Sequence, residues 1–301
     1  MASDPLKIKK SSRVDVTIKN AMTIDVEDYF QVSAFENHID KATWDTIPCR
    51  LENNMDRILQ LLSDHDTRAT FFTLGWVADN YPSVIKKIVS EGHELASHGY
   101  QHIRVSDQTS EQFLADISRT KDLLQQIGGK EVKGYRAASF SMGEKTPWAH
   151  DMLAKAGYTY SSSIYPIQHD HYGMPSASQY LYYPLGEDDQ EFCEIPISTL
   201  DVPGKRLPVG GGGYFRFFPY ALSKWMIAEV NKQHKQPTIF YFHPWEIDPE
   251  QPKQNNIGMK TRFRHYVNLS RMYDRLDRLL KDFEWATMDE VFINKQNKTL
   301  S

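Results

Sequence analysis

Short apolar runs recur along this chain, each followed by a stretch of helical spacing, and that alternation limits the fold more than any other feature. Residues 21–26 (Ala-Met-Thr-Ile-Asp-Val) suit a buried strand that ends in acids. Further β-rich runs cover 68–73, 132–136, 158–161, 238–242 and 284–287, and a short strand follows the turn at Gly92. Between them Met55, Ile58, Leu59 and Leu62 recur at helical period, and Pro82 opens a helix reaching 90. Thr109-Ser110-Glu111-Gln112 is a capping box for a helix to Ile127 that stops at Gly128-Gly129. Later helices are expected over 147–156, 221–234 and 266–281. Strand–helix units repeated without a linker predict one α/β domain, 19–301, on a largely parallel sheet or barrel, preceded by a polar tail over 1–18.

Composition narrows the class. With 40% hydrophobic and 25% charged residues in 301, the chain can bury a substantial core. A net charge of −4 gives no reason to expect nucleic acid as a partner. Cys49 and Cys193 are the only cysteines, too few for a disulfide framework or a thiolate zinc site. The first 20 residues lack the apolar core of a signal peptide, and no run approaches the roughly 18 apolar residues of a membrane span. The expectation is a soluble, cytoplasmic chain with no membrane span.

Reactive groups gather at predicted strand ends, the edge where α/β folds place their chemistry. Asp25-Val26-Glu27-Asp28 puts three carboxylates in four residues, which repel one another unless a cation offsets them. His98 and His102 lie four apart beside the third strand, and two imidazoles with one carboxylate leave a position open for water, as catalytic zinc sites do. Arg136 ends the fourth strand, where it can pair with a carboxylate and fix its orientation. His243 ends an apolar β run and is followed by Pro244-Trp245-Glu246, so an acid stands ready to keep its imidazolium populated. Together these groups point to a hydrolytic centre.

Asp25-Val26-Glu27-Asp28-Tyr29-Phe30, His98-Gly99-Tyr100-Gln101-His102, Tyr135-Arg136-Ala137-Ala138-Ser139-Phe140 and Phe242-His243-Pro244-Trp245-Glu246 fall in the order and spacing of the NodB-homology polysaccharide deacetylases, carbohydrate esterase family 4. The chain most resembles the bacterial branch associated with exopolysaccharide export, which also has a glycine run before Tyr-Phe-Arg (here Gly211 to Arg216) and a C-terminal extension like the segment from Thr261 onward. The resemblance implies a distorted (β/α) barrel of about seven strands that removes N-acetyl groups from an N-acetylhexosamine-containing polysaccharide or its precursor. It implies a divalent metal, usually zinc, on His98, His102 and an acid, with Asp25 as base, Arg136 holding Asp25, and His243 protonating the leaving amine. A backbone N–H near Ser139 is expected to stabilise the oxyanion, and Trp245 and Arg216 to contact substrate. Two departures stand out. The family's adjacent aspartates are spread here over Asp25, Glu27 and Asp28, and Ser161-Ser162-Ser163 stands where an aspartate is common. If the first strand runs straight through the motif, Asp25 and Glu27 share a face and Glu27 is the ligand; if it ends at Val26 and turns, Asp28 swings in. The straight arrangement is preferred. Two rivals are a metal-independent hydrolase of small cyclic amides and a non-catalytic glycan-binding module.

Overall fold

The structure, a computed structural model, describes residues 18–169, 173–186, 188, 190–255 and 257–294. The tail expected over 1–18 lies almost wholly outside them. Strand β1 (Asn20–Val26) is buried at every position, which suits an inner strand of a covered parallel sheet. The chain then runs through α1 (Leu51–Asp64), β2 (Thr70–Thr73), α2 (Gly75–Asn80), α3 (Pro82–Ser90), β3 (Glu94–Ser97), α4 (Ser110–Gly128), β4 (Gly134–Tyr135), α5 (Ala149–Lys155), β5 (Tyr160–Ser161) and β6 (Cys193–Glu194). A hairpin of β7 (Thr199–Val202) and β8 (Lys205–Pro208) follows, then α6 (Gly212–Phe217), α7 (Tyr220–Glu229), β9 (Ile239–Phe242), α8 (Met259–Tyr266), α9 (Met272–Asp282) and β10 (Trp285–Ala286).

The main sheet has the order β10-β1-β2-β3-β4-β5-β6, with β9 also paired to β1. Every pairing in it is parallel. The fold is the distorted (β/α) barrel, its sheet holding eight strands once the two-residue β6 and β10 are included. Along β1 the alternation of the pleat divides the labour. Met22, Ile24 and Val26 enter an apolar cluster with Met55, Ile58 and Leu62 of α1 and with Phe240 and Phe242 of β9. Thr23 and Asp25, on the other face, meet Arg136 from the end of β4.

Local signals account for most boundaries. The capping box at Thr109 and Gln112 is formed, and Gly129 closes α4 in the left-handed conformation at φ 63°. The helix expected without interruption over 266–281 is broken. α8 ends at Tyr266, Asn268 takes φ 52°, and α9 starts at Met272. The break has a physical cause: the carbonyls of Arg264, His265 and Val267 accept hydrogen bonds from the Arg216 guanidinium, which caps the last turn of α8. The helix expected over 221–234 leaves α geometry at Val230 for a π turn. Among the described residues no helix is long and apolar enough to cross a membrane.

His93, just ahead of β3, accepts the Ala69 N–H at Nδ1 (3.3 Å) and packs on Phe71. Burial, and secondarily the Arg68 charge, push its pKa down from 6.5 to about 4. A histidine depressed in this way is held neutral by the fold, so its contribution is complete above pH 6.5 and is lost as pH falls toward 4. The denaturation midpoint should therefore decline over that interval. In His93→Gln, whose amide oxygen can still accept from Ala69, the decline should be shallower, and equal slopes in chemical denaturation would refute the assignment.

Candidate active site

The carboxyl ends of β1, β3, β4 and β9 open into a cleft of about 450 Å³ lined by Asp25, Glu27, His98, His102, Ser139, Tyr241 and His243, among others. β1 ends at Val26, and Glu27 N–H bonds back to the Asp25 carbonyl at 3.0 Å. The chain does turn here, yet Glu27 rather than Asp28 faces the cleft. Asp28 accepts the backbone N–H groups of Tyr29 and Arg50, fastening the entry of α1. Asp28 is thus bound to backbone and stands outside the cluster of Glu27, His98 and His102, unlike its expected part in a metal site.

His98 follows β3, with its N–H on the Thr73 carbonyl. Positive φ at Gly99 (73°) and His102 (53°) makes the next four residues a loop, not the helical turn that would stack the two imidazoles. The loop nonetheless brings their rings to 5.3 Å. His98 Nδ1 lies 2.8 Å from the Arg136 carbonyl. A carbonyl only accepts, so Nδ1 carries the proton and Nε2 keeps its lone pair, the arrangement that prepares a histidine to ligate a metal.

Ligand atoms of Glu27, His98 and His102 all lie within 4.8 Å of one another, and the three residues are buried. Glu27 Oε2 is 3.1 Å from His102 Nε2 but has no hydrogen-bond partner of good geometry among the described residues. Burial raises the Glu27 carboxyl to about 7, with His243 opposing and Asp25 adding to the rise. Burial also lowers both imidazoles, which therefore stay neutral. An orphaned carboxylate oxygen beside two neutral imidazoles suits a divalent cation, which would hold Glu27 ionised.

Two further groups flank this cluster. Arg136 is fully buried and spends its donors on Asp25 Oδ1 (2.6 Å), Thr23 Oγ1 (2.8 Å), and the Ser162 carbonyl and hydroxyl. Asp25 Oδ2 is thereby aimed at His243, whose Nε2 lies 3.9 Å from it and 3.5 Å from Glu27 Oε1. The serines at the position where an aspartate is common have other work: Ser162 holds Arg136, and Ser163 Oγ accepts the Ala137 N–H.

The carboxylate behind the histidine is Glu246. Its Oε1 accepts both the backbone N–H and Nδ1–H of His243, at 3.1 and 2.8 Å. Its Oε2 accepts from Arg216 Nε at 2.6 Å. Burial alone would raise Glu246, but the Arg216 charge and the His243 hydrogen bond bring it to about 2. Burial alone would lower His243, but its bond to Glu246 and the charges of Glu27, Glu246 and Asp25 lift it to about 9. The imidazolium therefore dominates at neutral pH.

Two expected substrate contacts take different places. Arg216 is 1% exposed, with its donors on Glu246 and three carbonyls of the α8 end, so no donor is directed at a substrate. Trp245 is 6% exposed and stacks with both His243 (5.3 Å) and His265 (4.3 Å), so little of its ring is open to a sugar. Its indole packs against the His243 imidazole instead. The glycine run approaches its own chain: a Cβ on Gly212 would stand 2.2 Å from Glu246 Oε1, and one on Gly210 would stand 1.9 Å from the Ile239 carbonyl. Ser139 lines the cleft at φ 55°, its hydroxyl touching that of Ser33. Sequence reasoning missed Tyr241 and the wall formed by 33–38. Period-2 alternation in Ile-Phe-Tyr-Phe would have found Tyr241, whereas the 33–38 loop carries no such signal.

This is the layout of a hydrolase on a (β/α) barrel, and comparison with known proteins specifies which. Residues 41–161 match the family described as Polysaccharide deacetylase, and 162–293 match Domain of unknown function (DUF3473). Each match takes in less than half of the chain, so the likeness to the polysaccharide deacetylases is one of residues 41–161. It is 32% identical over 80 residues to a peptidoglycan-N-acetylglucosamine deacetylase of Bacillus cereus, covering 27% of this chain and 29% of that one. It is 28% identical over 113 residues to the peptidoglycan deacetylase of Helicobacter pylori, 38% of each chain. The match therefore spans well under half the length of these curated relatives. The crystal structure of a putative polysaccharide deacetylase from Mycobacterium smegmatis superposes with a TM-score of 0.59 at 18% identity, over 100% of this chain and 96% of that one, which supports the fold.

Titration with zinc followed by calorimetry tests the ligand set. Glu27→Gln and His98→Ala should each weaken binding at least about ten-fold, while Asp28→Asn should leave it unchanged. Equal, small effects at Glu27 and Asp28 would place the acidic ligand elsewhere.

Proposed function

We propose that this protein hydrolyses N-acetyl groups from an N-acetylhexosamine-containing glycan, releasing acetate, with a divalent ion, zinc by preference, held by Glu27, His98 and His102. The observation that carries this reading is the separation of roles around one cleft. A neutral imidazole–carboxylate cluster sits between an arginine-held aspartate and a carboxylate-backed histidinium. The family match supports deacetylation of a polysaccharide, and the C-terminal region supports the exopolysaccharide-associated branch.

When bound, the ion polarises the acetyl carbonyl and acidifies a water. Asp25 accepts that water's proton at Oδ2, since Oδ1 is committed to Arg136. His243 presents Nε2–H to the cleft because Nδ1–H is committed to Glu246, and it delivers that proton to the departing nitrogen. The amide C–N bond breaks as the water oxygen joins the acyl carbon, giving an amine and acetate. We assign the developing oxyanion to a backbone N–H donor at Ser139, which lines the cleft.

Acetate release from N-acetylated oligosaccharides, with metal content assayed on the same sample, tests the proposal. Asp25→Asn should retain the metal and lose about 10²–10⁴-fold in turnover. Near-native turnover in this variant would end the base assignment, and full activity after chelation would end the metal assignment. Gly212→Ala tests the support behind His243. Its methyl must displace the Glu246 carboxylate, so turnover should fall roughly ten-fold or more with metal affinity intact. Unaltered turnover would show that Glu246 does not tune His243.

A further inference from the structure

The indole of Trp245 is buried in the short turn after β9, and its Nε1–H has no hydrogen-bond partner of good geometry among the described residues. A buried indole N–H normally finds an acceptor, because one left bare forfeits the hydrogen bond it made to water. Three contacts hold the ring. His243 stacks on it at 5.3 Å, His265 at 4.3 Å, and the Arg216 guanidinium stands 5.3 Å from its centre. On the same cleft wall the Glu27 carboxylate is the complementary group, since its Oε2 is also buried and unpaired. Glu27 Oε1 lies 3.5 Å from Nε2 of His243, the ring that Trp245 stacks against. Burial dominates the Glu27 carboxyl and raises it, and a hydrogen-bond contact from the Trp245 indole is among the influences that lower it. Donor and acceptor are thus within reach of each other, short of a well-formed bond.

We infer that Trp245 is a positioning residue whose Nε1–H donates to the Glu27 carboxylate and holds that carboxylate turned toward the cation. The inference rests on the metal-site reading above. A carboxylate that gives one oxygen to a cation keeps lone pairs on the other, and a donor placed there fixes its rotation. The other nitrogens near Glu27 have different work. His243 Nε2–H serves the departing nitrogen, and His102 must present a bare nitrogen to a cation. Trp245 Nε1 has no other duty. An indole only donates, so it supports the ligand without competing for the ion. The arrangement parallels His98, whose ring is oriented by the Arg136 carbonyl.

Zinc affinity of the full chain, measured by calorimetry through a double-mutant cycle, tests this. Trp245→Phe keeps an aromatic ring against the two imidazoles and removes the N–H. It should weaken zinc binding roughly ten-fold beside Glu27, and by no more than about two-fold in the Glu27→Gln background. An equal loss in both backgrounds, or none, overturns the inference. So does lower turnover with zinc affinity intact, the split expected if Trp245 serves only to pack against His243. Indole N–H resonances give a second readout that needs no substitution at Trp245. The chain has six tryptophans, and among the described residues Trp245 is the one lining the cleft. Saturating zinc should move one indole N–H resonance downfield in the wild type and not in Glu27→Gln. An unmoved set in the wild type, or the same movement in Glu27→Gln, overturns the inference even if Trp245→Phe fails to fold. A wild type that binds no zinc refutes the metal-site reading and this inference together. Wild-type binding that Trp245→Phe leaves unchanged refutes this inference alone.

Discussion

The mouth of this barrel is organised by a charge buried where water cannot reach it. Arg136 is fully buried among Phe72, Phe140 and Tyr241, its guanidinium 4.0 Å from the Phe72 ring centre. A cation there is tolerable only if its donors are matched, and the cost of stranding one partner of such a pair is about 3–5 kcal/mol. The match is supplied from β1 by Thr23 and Asp25 and from the end of β5 by Ser162. Arg136 therefore ties three strands together at the edge where they open, and the reactive aspartate is one of its anchors. The backbone carbonyl of the same residue orients His98. One arginine thus orients both Asp25 and His98, and small movements of β4 reach both.

Arg216 repeats the solution on the other side of the cleft. Its carboxylate partner is Glu246, and its remaining donors end α8. α9 secures the arrangement through Arg275, which donates to the carbonyls of Phe215, Arg216 and Phe218. The two family matches meet at 161 and 162, but the physical unit ignores that boundary. β9 and β10, from the second match, flank β1, which precedes the first. The group that tunes His243 comes wholly from the C-terminal match.

What was legible in the sequence follows from the range of the forces involved. Apolar runs that become strands buried along their whole length, the α4 capping box and the proline entry of α3 are local, and their residues carry the signal. Strand ends that place Asp25, His98, Arg136 and His243 at one edge follow from a parallel sheet once the strands are found. Long-range choices were not legible. Whether Arg216 meets a sugar or a buried glutamate depends on α8 ending beneath it, and the α8 break depends in turn on Arg216. Trp245 looks like a sugar platform until His265, 20 positions later, is seen to stack on it. The choice between Glu27 and Asp28 turned on a single backbone hydrogen bond at the end of β1, which let the strand stop while Glu27 stayed in the cleft.

Three carboxylates of the site illustrate why composition alone could not assign them. Glu27 and Glu246 are both buried glutamates near His243, yet burial leaves Glu27 at about 7 while Glu246 falls to about 2. The difference is the partner: Glu246 has a guanidinium and an imidazolium in direct contact, whereas the cations around Glu27 are weaker or farther and burial dominates. Asp25 is committed to Arg136 on one oxygen and open on the other. Carboxylates held in such different environments cannot share a role. The saturated one supports a histidine, and the half-committed one can take a proton. The third lies beside two neutral imidazoles, a donor set that could hold a divalent cation and leave a position open for water.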